Sequence, residues 1–297
     1  MPCYHPLTAY VVRPECRSDG KRLTFSYNPK TCYSDVRPLS LPCGQCIGCR
    51  LERSRQWAVR AMHELQLHDT GCFLNLTYDE IHLPEGQTLV RRDIQLFLKR
   101  LRKARGAFRF MYCGEYGDAN LRPHYHAIIF GLDFRHDQRP LRRSHSGEML
   151  YSSPSLTSTW GLGEASIGSV TFESCAYVAR YIVKKVTGPD AVAHYGDRLP
   201  EFFQPSLKPG LGHGWITKYR SDVYPSDEVV IRDGIVCAPP RYYDKQQEVH
   251  VGERAFATHK RIRSASAFKH KPDNTPERLA VREEVANARL KQLKRPL

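Results

Sequence analysis

Two histidines separated by a single residue, His124 and His126, stand in the stretch Arg122-Pro-His-Tyr-His-Ala-Ile-Ile-Phe-Gly131. Alternate side chains of a β-strand share a face. Both imidazoles would then project beside Ile128 and Phe130, with Tyr125, Ala127 and Ile129 on the other side. Two imidazoles so placed can hold one metal ion. Glu115, across a hairpin turn, can bring a carboxylate to the same point. This mixed nitrogen and oxygen set suits Mg2+, Mn2+ or Zn2+. By itself the pattern also fits two half-buried histidines on an edge strand.

A second group follows in Tyr177-Val-Ala-Arg-Tyr-Ile-Val-Lys-Lys185. At about 100° per residue, a helix here gathers Val178, Ala179, Ile182, Val183 and Val186 on an apolar side. Tyr177, Arg180, Tyr181, Lys184 and Lys185 share the opposite side. A phenol with its ordinary pKa of about 10 is a poor nucleophile. Cations, or a metal-polarised phosphate beside it, ease attack and stabilise the added negative charge. Two phenols one turn apart could act in turn on a phosphodiester. A structural reading is open too, because tyrosines on a helix flank bridge core and solvent through their amphipathic rings.

These groups need elements to hold them, and the hydrophobic pattern supplies candidates. Residues 50–68 carry Leu51, Trp57, Val59, Met62, Leu65 and Leu67 on one broad side and predict a helix. Cys72 to Tyr78 predicts a strand. Residues 91–104 predict a basic amphipathic helix through Ile94, Phe97, Leu98 and Leu101. Residues 107–134 predict a hairpin whose second strand is the histidine strand. Beyond it, 135–160 reads as a polar, basic loop, SVTF at 169–172 as a short strand, and Cys175 to Val186 as the tyrosine helix, ended by Gly188-Pro189. The Pro- and Gly-rich stretch 200–225 reads as irregular, TFSYNP at 24–29 as a short strand, and Pro276 to Lys294 as a terminal helix.

The order of these elements predicts an α+β fold: a central antiparallel sheet of about five strands with flanking helices, a Cys-rich N-terminal segment and a basic C-terminal tail. The expected divisions are 1–50, 51–225 and 226–297. The 297 residues suffice for one large or two modest domains, each with its own core. A 41% hydrophobic fraction with 16 Tyr, 12 Phe and 3 Trp excludes a wholly disordered basic protein. No apolar run approaches the length that crosses a bilayer, and the N-terminus lacks a secretory pattern. An intracellular protein with no membrane partner is expected.

The 45 Lys and Arg outnumber the 31 Asp and Glu, for a net charge of +14. The last 47 residues hold 12 of those bases and 5 of those acids, about half of the excess. Basic segments at 90–105, 135–143 and 254–271 could track several phosphates with little regard for base sequence. Six of ten cysteines fall in the first 49 residues. Cys43-x-x-Cys46-x-x-Cys49, with Cys3, Cys32 or His5 as a fourth ligand, could hold a structural zinc, or the thiols could be reduced and merely packed. The other four, Cys72, Cys113, Cys175 and Cys237, read as small buried hydrophobes.

Taken together, CGQCIGCR at 43–50, FLNLTYD at 73–79, GEYG with RPHYHAIIFG at 114–131, YVARYIVKK at 177–185 and SLKPGLGHGW at 206–215 resemble one family. It is the replication initiators of microviruses, especially the gokushovirus branch, within the His-hydrophobic-His class of rolling-circle endonucleases. The resemblance runs from about residue 40 to about residue 215 and rests on the combined pattern. It implies that His124, His126 and Glu115 are ligands of Mg2+ or Mn2+, that Tyr177 and Tyr181 are paired nucleophiles, and that Lys184 is the cation that follows them. Arg180, Lys185 and Arg122 are expected DNA contacts. The implied activity is metal-dependent, site-specific nicking of the viral strand of supercoiled DNA at the origin. It proceeds through a 5′-phosphotyrosine link, and the displaced strand is later rejoined. Origin DNA, both duplex and single-stranded, and the host helicase and polymerase machinery are the implied partners, in the bacterial host cytoplasm. The alternative is a non-catalytic basic protein that binds nucleic acid.

Overall fold

The computed structural model describes residues 3–292 except 18–19, 35, 37, 118–119, 145–146, 185, 187–189 and 233, and describes 181–184 through their backbone alone. The N-terminal part holds β1 (Leu7–Val11), β2 (Leu23–Thr24), β3 (Leu39–Leu41) and α1 (Ile47–Leu65). There follow β4 (Gly71–Thr77), α2 (Arg91–Arg105), β5 (Arg109–Tyr116), β6 (Pro123–Phe130), β7 (Arg139–Arg143) and β8 (Met149–Ser152). Next come α3 (Pro154–Trp160), β9 (Ala165–Gly168), α4 (Phe172–Lys184), α5 (Asp190–Tyr195) and β10 (Phe202–Pro205). The C-terminal part holds α6 (His213–Lys218), α7 (Arg220–Val223), β11 (Val229–Val230), β12 (Val236–Cys237), α8 (Arg241–Val251), α9 (Glu253–Lys269) and α10 (Pro276–Gln292).

The chain divides into two compact units. One joins the N-terminal segment through Glu52 to the C-terminal segment from Ser266 onward; the other runs from Arg53 to Ala265. The larger unit is built on a seven-stranded sheet in the order β10-β5-β6-β4-β9-β8-β7, with every neighbouring pair antiparallel. The smaller contains the three-stranded sheet β2-β1-β3. The α+β class and the antiparallel sheet are as expected, but five strands become seven. The strands β7, β8 and β10 fall in stretches read as loop or irregular. All five residues of β7 are exposed, and β10 is a four-residue edge strand that ends in proline.

The central strands are buried on both faces, which is why they read as nearly continuous apolar runs. Leu74 and Leu76 of β4 with Tyr125, Ala127 and Ile129 of β6 face α2 and α3, packing against Ile94, Phe97, Leu98, Leu156 and Trp160. Each fully buried Leu, Ile or Phe among them contributes roughly 1.5–3 kcal/mol. The other face carries Phe73, Met111, Cys113, Ile128 and Phe130 beneath Ala58 and Ala61 of α1 and Cys175 and Val178 of α4. This second layer stops short of the strand ends that carry His124 and His126.

The tyrosine helix begins earlier than the apolar spacing suggests, and the expected strand at 169–172 gives way to it. Thr171 and Ser174 cap each other: the Thr171 N–H donates to Ser174 Oγ at 2.9 Å and the Ser174 N–H to Thr171 Oγ1 at 3.1 Å. The strand falls instead at β9. The expected loop at 135–160 contains β7, β8 and α3. The helix α3 is closed by Ser153 at its N-terminus and by left-handed Gly161 at its C-terminus. Among the described residues no helix is long and apolar enough to cross a membrane.

A third cluster of the larger unit gathers Val59, Ile216, Val223, Tyr243 and Phe256 with Trp215 against them, and His63 stacks on Trp215 at 3.5 Å between ring centroids and lies 2.9 Å from the Tyr243 hydroxyl. Burial holds its imidazole down to about 4, against a smaller upward pull from a backbone hydrogen bond at Val230. The unfolded chain takes up this proton near the usual value of about 6.5 and the folded chain only near 4. His63 therefore adds nothing to pH dependence above 6.5, and stability falls as pH drops through the window, by up to about 3 kcal/mol. Urea titrations from pH 7 to pH 4 should show this loss in the wild type and a flatter profile in His63→Gln. Parallel profiles would remove His63 as the cause.

Candidate active site

The hairpin of β5 and β6 sets Glu115 directly opposite His124, and Cys113 opposite His126. Alternation then aims all four side chains at one face of the sheet. Glu115 Oε1 lies 2.7 Å from His124 Nε2 and 2.6 Å from His126 Nε2. From above, α4 lowers Tyr177 so that its hydroxyl donates to the same Glu115 oxygen at 3.0 Å. Its ring meets the His126 ring edge-on at 5.1 Å, and Phe73 stacks on the same imidazole at 5.4 Å. A carboxylate, two imidazoles and a phenol converge on one point.

The electrostatics of that point favour a cation. Glu115 is 2% exposed. Burial alone would raise its carboxyl, but the neighbouring His126 charge and the hydrogen bonds that both imidazoles donate when protonated together take it down to about 2. His124 Nδ1 lies 3.0 Å from the carbonyl oxygen of Arg122. A carbonyl only accepts, so the ring N–H sits on Nδ1 and a neutral His124 turns its Nε2 lone pair toward the Glu115 oxygen. Such a confrontation of lone pairs is relieved by a second proton or by a metal ion. A carbonyl behind the far nitrogen is also the usual second partner of a metal-bound histidine. The ligand atoms of Glu115, His124 and His126 all lie within 4.8 Å of one another. The donor set fits a divalent ion with nitrogen and oxygen ligands.

The site opens into a cleft of about 390 Å³ lined by Asn75, Asn120, Arg122, Arg142, Arg143 and Ser166 around His124, His126 and Tyr177. The expected contact Arg122 is largely committed to structure: it donates to Glu80 Oε1 at 2.6 Å and to the Tyr78 carbonyl at 2.9 Å. Arg180 is half-buried one turn along α4 from Tyr177, and its Nε has no hydrogen-bond partner. It is not among the residues that line the cleft. The backbones of Tyr181 and Lys184 continue α4, while their side chains, and Lys185 altogether, lie outside the described residues.

Sequence reasoning missed Asn75, Ser166, Arg142 and Arg143. Asn75 was findable, because it is the polar residue of the Phe73, Asn75, Thr77 face and sits directly across from His126. Ser166 lies across from Asn75 in turn. The two arginines belong to a segment recognised as basic but placed in a loop. As part of β7 they stand at the far edge of the sheet and still reach the cleft.

The thiols of Cys3, Cys43, Cys46 and Cys49 form a second group in the smaller unit, their sulfurs within 4.8 Å of one another. Of the other two candidates for fourth ligand, His5 is turned to Glu283 at 2.7 Å, and Cys32 is buried beside Thr31. None of the described cysteines is joined in a disulfide.

The family described as Replication-associated protein ORF2/G2P matches residues 71–186, which span β4 through the tyrosine helix and include every group of the site. Replication-associated protein VP4 of Bdellovibrio phage phiMH2K is 36% identical over 230 residues, 73% of this chain and 70% of the relative. Replication-associated protein ORF2 of Spiroplasma virus 4 is 29% identical over 267 residues, 84% of this chain and 81% of the relative. Replication-associated protein ORF4 of Chlamydia phage 1 is 30% identical over 223 residues, 71% of this chain and 55% of the relative. No solved structure matches the chain.

Proposed function

Because the chain belongs to the replication-associated proteins of microvirus-like phages, we propose that it starts rolling-circle replication by nicking the viral strand of supercoiled DNA at the origin. The carrying observation is the Tyr177 hydroxyl, held 3.0 Å from the one carboxylate oxygen that both histidines also reach. A tyrosine oxygen attacks phosphorus, the phenol proton passes to a base, and the 3′ oxygen leaves as a hydroxyl. The 5′ phosphate stays on the tyrosine. A host polymerase extends the free 3′ hydroxyl. After one round the partner tyrosine attacks the regenerated origin, and the new 3′ hydroxyl displaces the first tyrosine to close the circle. Bond count and bond type are conserved throughout, so the protein contributes chiefly positioning and charge.

Glu115, His124 and His126 would hold Mg2+ or Mn2+, which when bound orients the scissile phosphate and draws charge from its non-bridging oxygens. Tyr177 is kept in place by Glu115 and by edge contact with His126. Asn75 and Ser166 offer neutral hydrogen-bond partners across the cleft, where a sugar or base edge would lie. Arg142 and Arg143 supply positive charge to the incoming backbone. Lys184, Arg180 and Lys185 are in this reading cations that serve the phosphate. The basic C-terminal region, 226–297, extends the DNA contact, though Arg263 there is spent on a clamp to Asp227 and Asp244. The work takes place in the cytoplasm of the bacterial host.

The test is direct. Purified protein, Mn2+ or Mg2+ and a supercoiled plasmid carrying the phage origin should yield an open circle with protein joined to a 5′ end. Binding without nicking on every such substrate would favour the non-catalytic alternative. Arg142→Ala with Arg143→Ala should lessen the slope of log affinity against log salt by about 1.4–1.8, the share of two phosphate contacts. An unchanged slope in filter binding would take the DNA path off β7.

A further inference from the structure

We propose that Cys3, Cys43, Cys46 and Cys49 form a closed structural zinc site that supplements a thin hydrophobic core in the smaller unit. A tetrahedral ion with Zn–S bonds of about 2.3 Å sets its sulfurs about 3.8 Å apart. Here Cys43 and Cys49 are 4.0 Å apart, as are Cys3 and Cys46. Four sulfurs so close, with none bonded to another, form a cage rather than two disulfides.

The backbone around the cage is arranged for thiolates. Amide N–H groups donate to three of the sulfurs: Cys43 to Cys3, Cys46 to Cys43 and Tyr4 to Cys46, each at 3.3 Å. The Cys46 contact reaches back to the first sulfur of its own Cys-x-x-Cys, the turn by which such a pair wraps an ion. Cys46 and Cys49 also stand at the start of α1, where the helix dipole favours negative charge. On binding, each thiol gives up its proton to solvent, and four thiolates around Zn2+ carry a net charge of −2. With four protein ligands no coordination position is open, so the role is structural.

The thinness of the surrounding core gives the ion its purpose. The cysteine cluster of this unit buries Cys3, Cys46 and Cys49, with Tyr4 and Cys43 packed against it, and beyond it the unit's buried apolar side chains among the described residues are Ala9, Val12, Cys32 and Leu279. Leu7, Phe25, Tyr27 and Leu39 are exposed. A segment with so little apolar burial needs a crosslink. An ion that ties Cys3 to the Cys43–Cys49 turn closes the whole N-terminal loop in one step.

The experiment uses the full chain, purified under reducing conditions without chelator, and measures metal by mass spectrometry. One zinc per chain is expected, retained in Glu115→Gln/His126→Gln and in Cys16→Ser, and lost in Cys46→Ser. Because Cys46→Ser could misfold, the wild type is also exchanged into Co2+. The cobalt protein should show the charge-transfer and d–d bands of a tetrahedral thiolate site, with four thiols shielded from a thiol reagent until a chelator is added. Zinc that disappears with the Glu115 and His126 changes, iron–sulfur absorption in its place, or four thiols that react freely in the metal-loaded chain would each overturn the assignment.

Discussion

Tyr177→Phe should lower the yield of covalent protein–DNA adduct in the first nicking round by at least about 10³-fold, the scale expected when a nucleophile is deleted. The substitution is conservative everywhere except at the chemistry. The ring that meets His126 at 5.1 Å is kept, and the helix loses only the hydroxyl. What disappears is one hydrogen bond to Glu115, worth about 1.5–3 kcal/mol because its acceptor is charged. The imidazoles still lie 2.7 and 2.6 Å from the same oxygen, so the variant should fold and should bind origin DNA as the wild type does. A purely structural tyrosine would give the opposite pattern, with a modest fall in stability and an unchanged adduct. Peptide mapping of the wild-type adduct assigns the attacked residue. Tyr177→Phe combined with Tyr181→Phe then closes the question, since adduct formed at full yield by that pair would remove both phenols from the chemistry.

The convergence of Glu115, His124, His126 and Tyr177 was legible because each depended on a local period. Strand alternation put the histidines on one face, and hairpin pairing brought Glu115 across from His124. Helical spacing placed Tyr177 opposite Val178 and Ala179, both of which are fully buried. Other features depended on contacts that no period encodes. β7 is a strand because β8 pairs with it, although its own residues are all exposed. Arg122 has the charge of a DNA contact and lines the cleft, and its bonds to Glu80 and the Tyr78 carbonyl are contacts that no period encodes. Helix α4 starts where two hydroxyls cap each other, a signal weaker in sequence than the apolar spacing that follows. Cys3 is far along the chain from Cys43, and only the fold brings the two thiols together while turning His5 away.

Metal binding should stabilise the wild-type chain and do almost nothing for Glu115→Gln. At 100 times its dissociation constant, an ion bound only by the folded state adds about 2.7 kcal/mol. For a unit of this size that raises Tm by about 5–10 °C. The amide keeps the size of the carboxylate and can still face the imidazoles, but it carries no charge. Loss of a ligand should cost at least about 100-fold in Mn2+ affinity, since outer-shell partners alone cost about 10–100-fold. Gln is preferable to an imidazole deletion, because deleting a histidine would leave the buried Glu115 charge short of a partner, at a cost of about 3–5 kcal/mol, and would confuse unfolding with loss of the ion. The carboxyl titrates near 2 in the metal-free fold against about 4.3 unfolded, so its contribution is intact above pH 4.3 and fades only as pH falls through that window. A thermal scan at pH 7 with and without Mn2+ therefore compares a fully ionised Glu115 with its neutral isostere. An equal rise in Tm in both proteins would place the ion elsewhere, and with it the source of charge that the phenol needs.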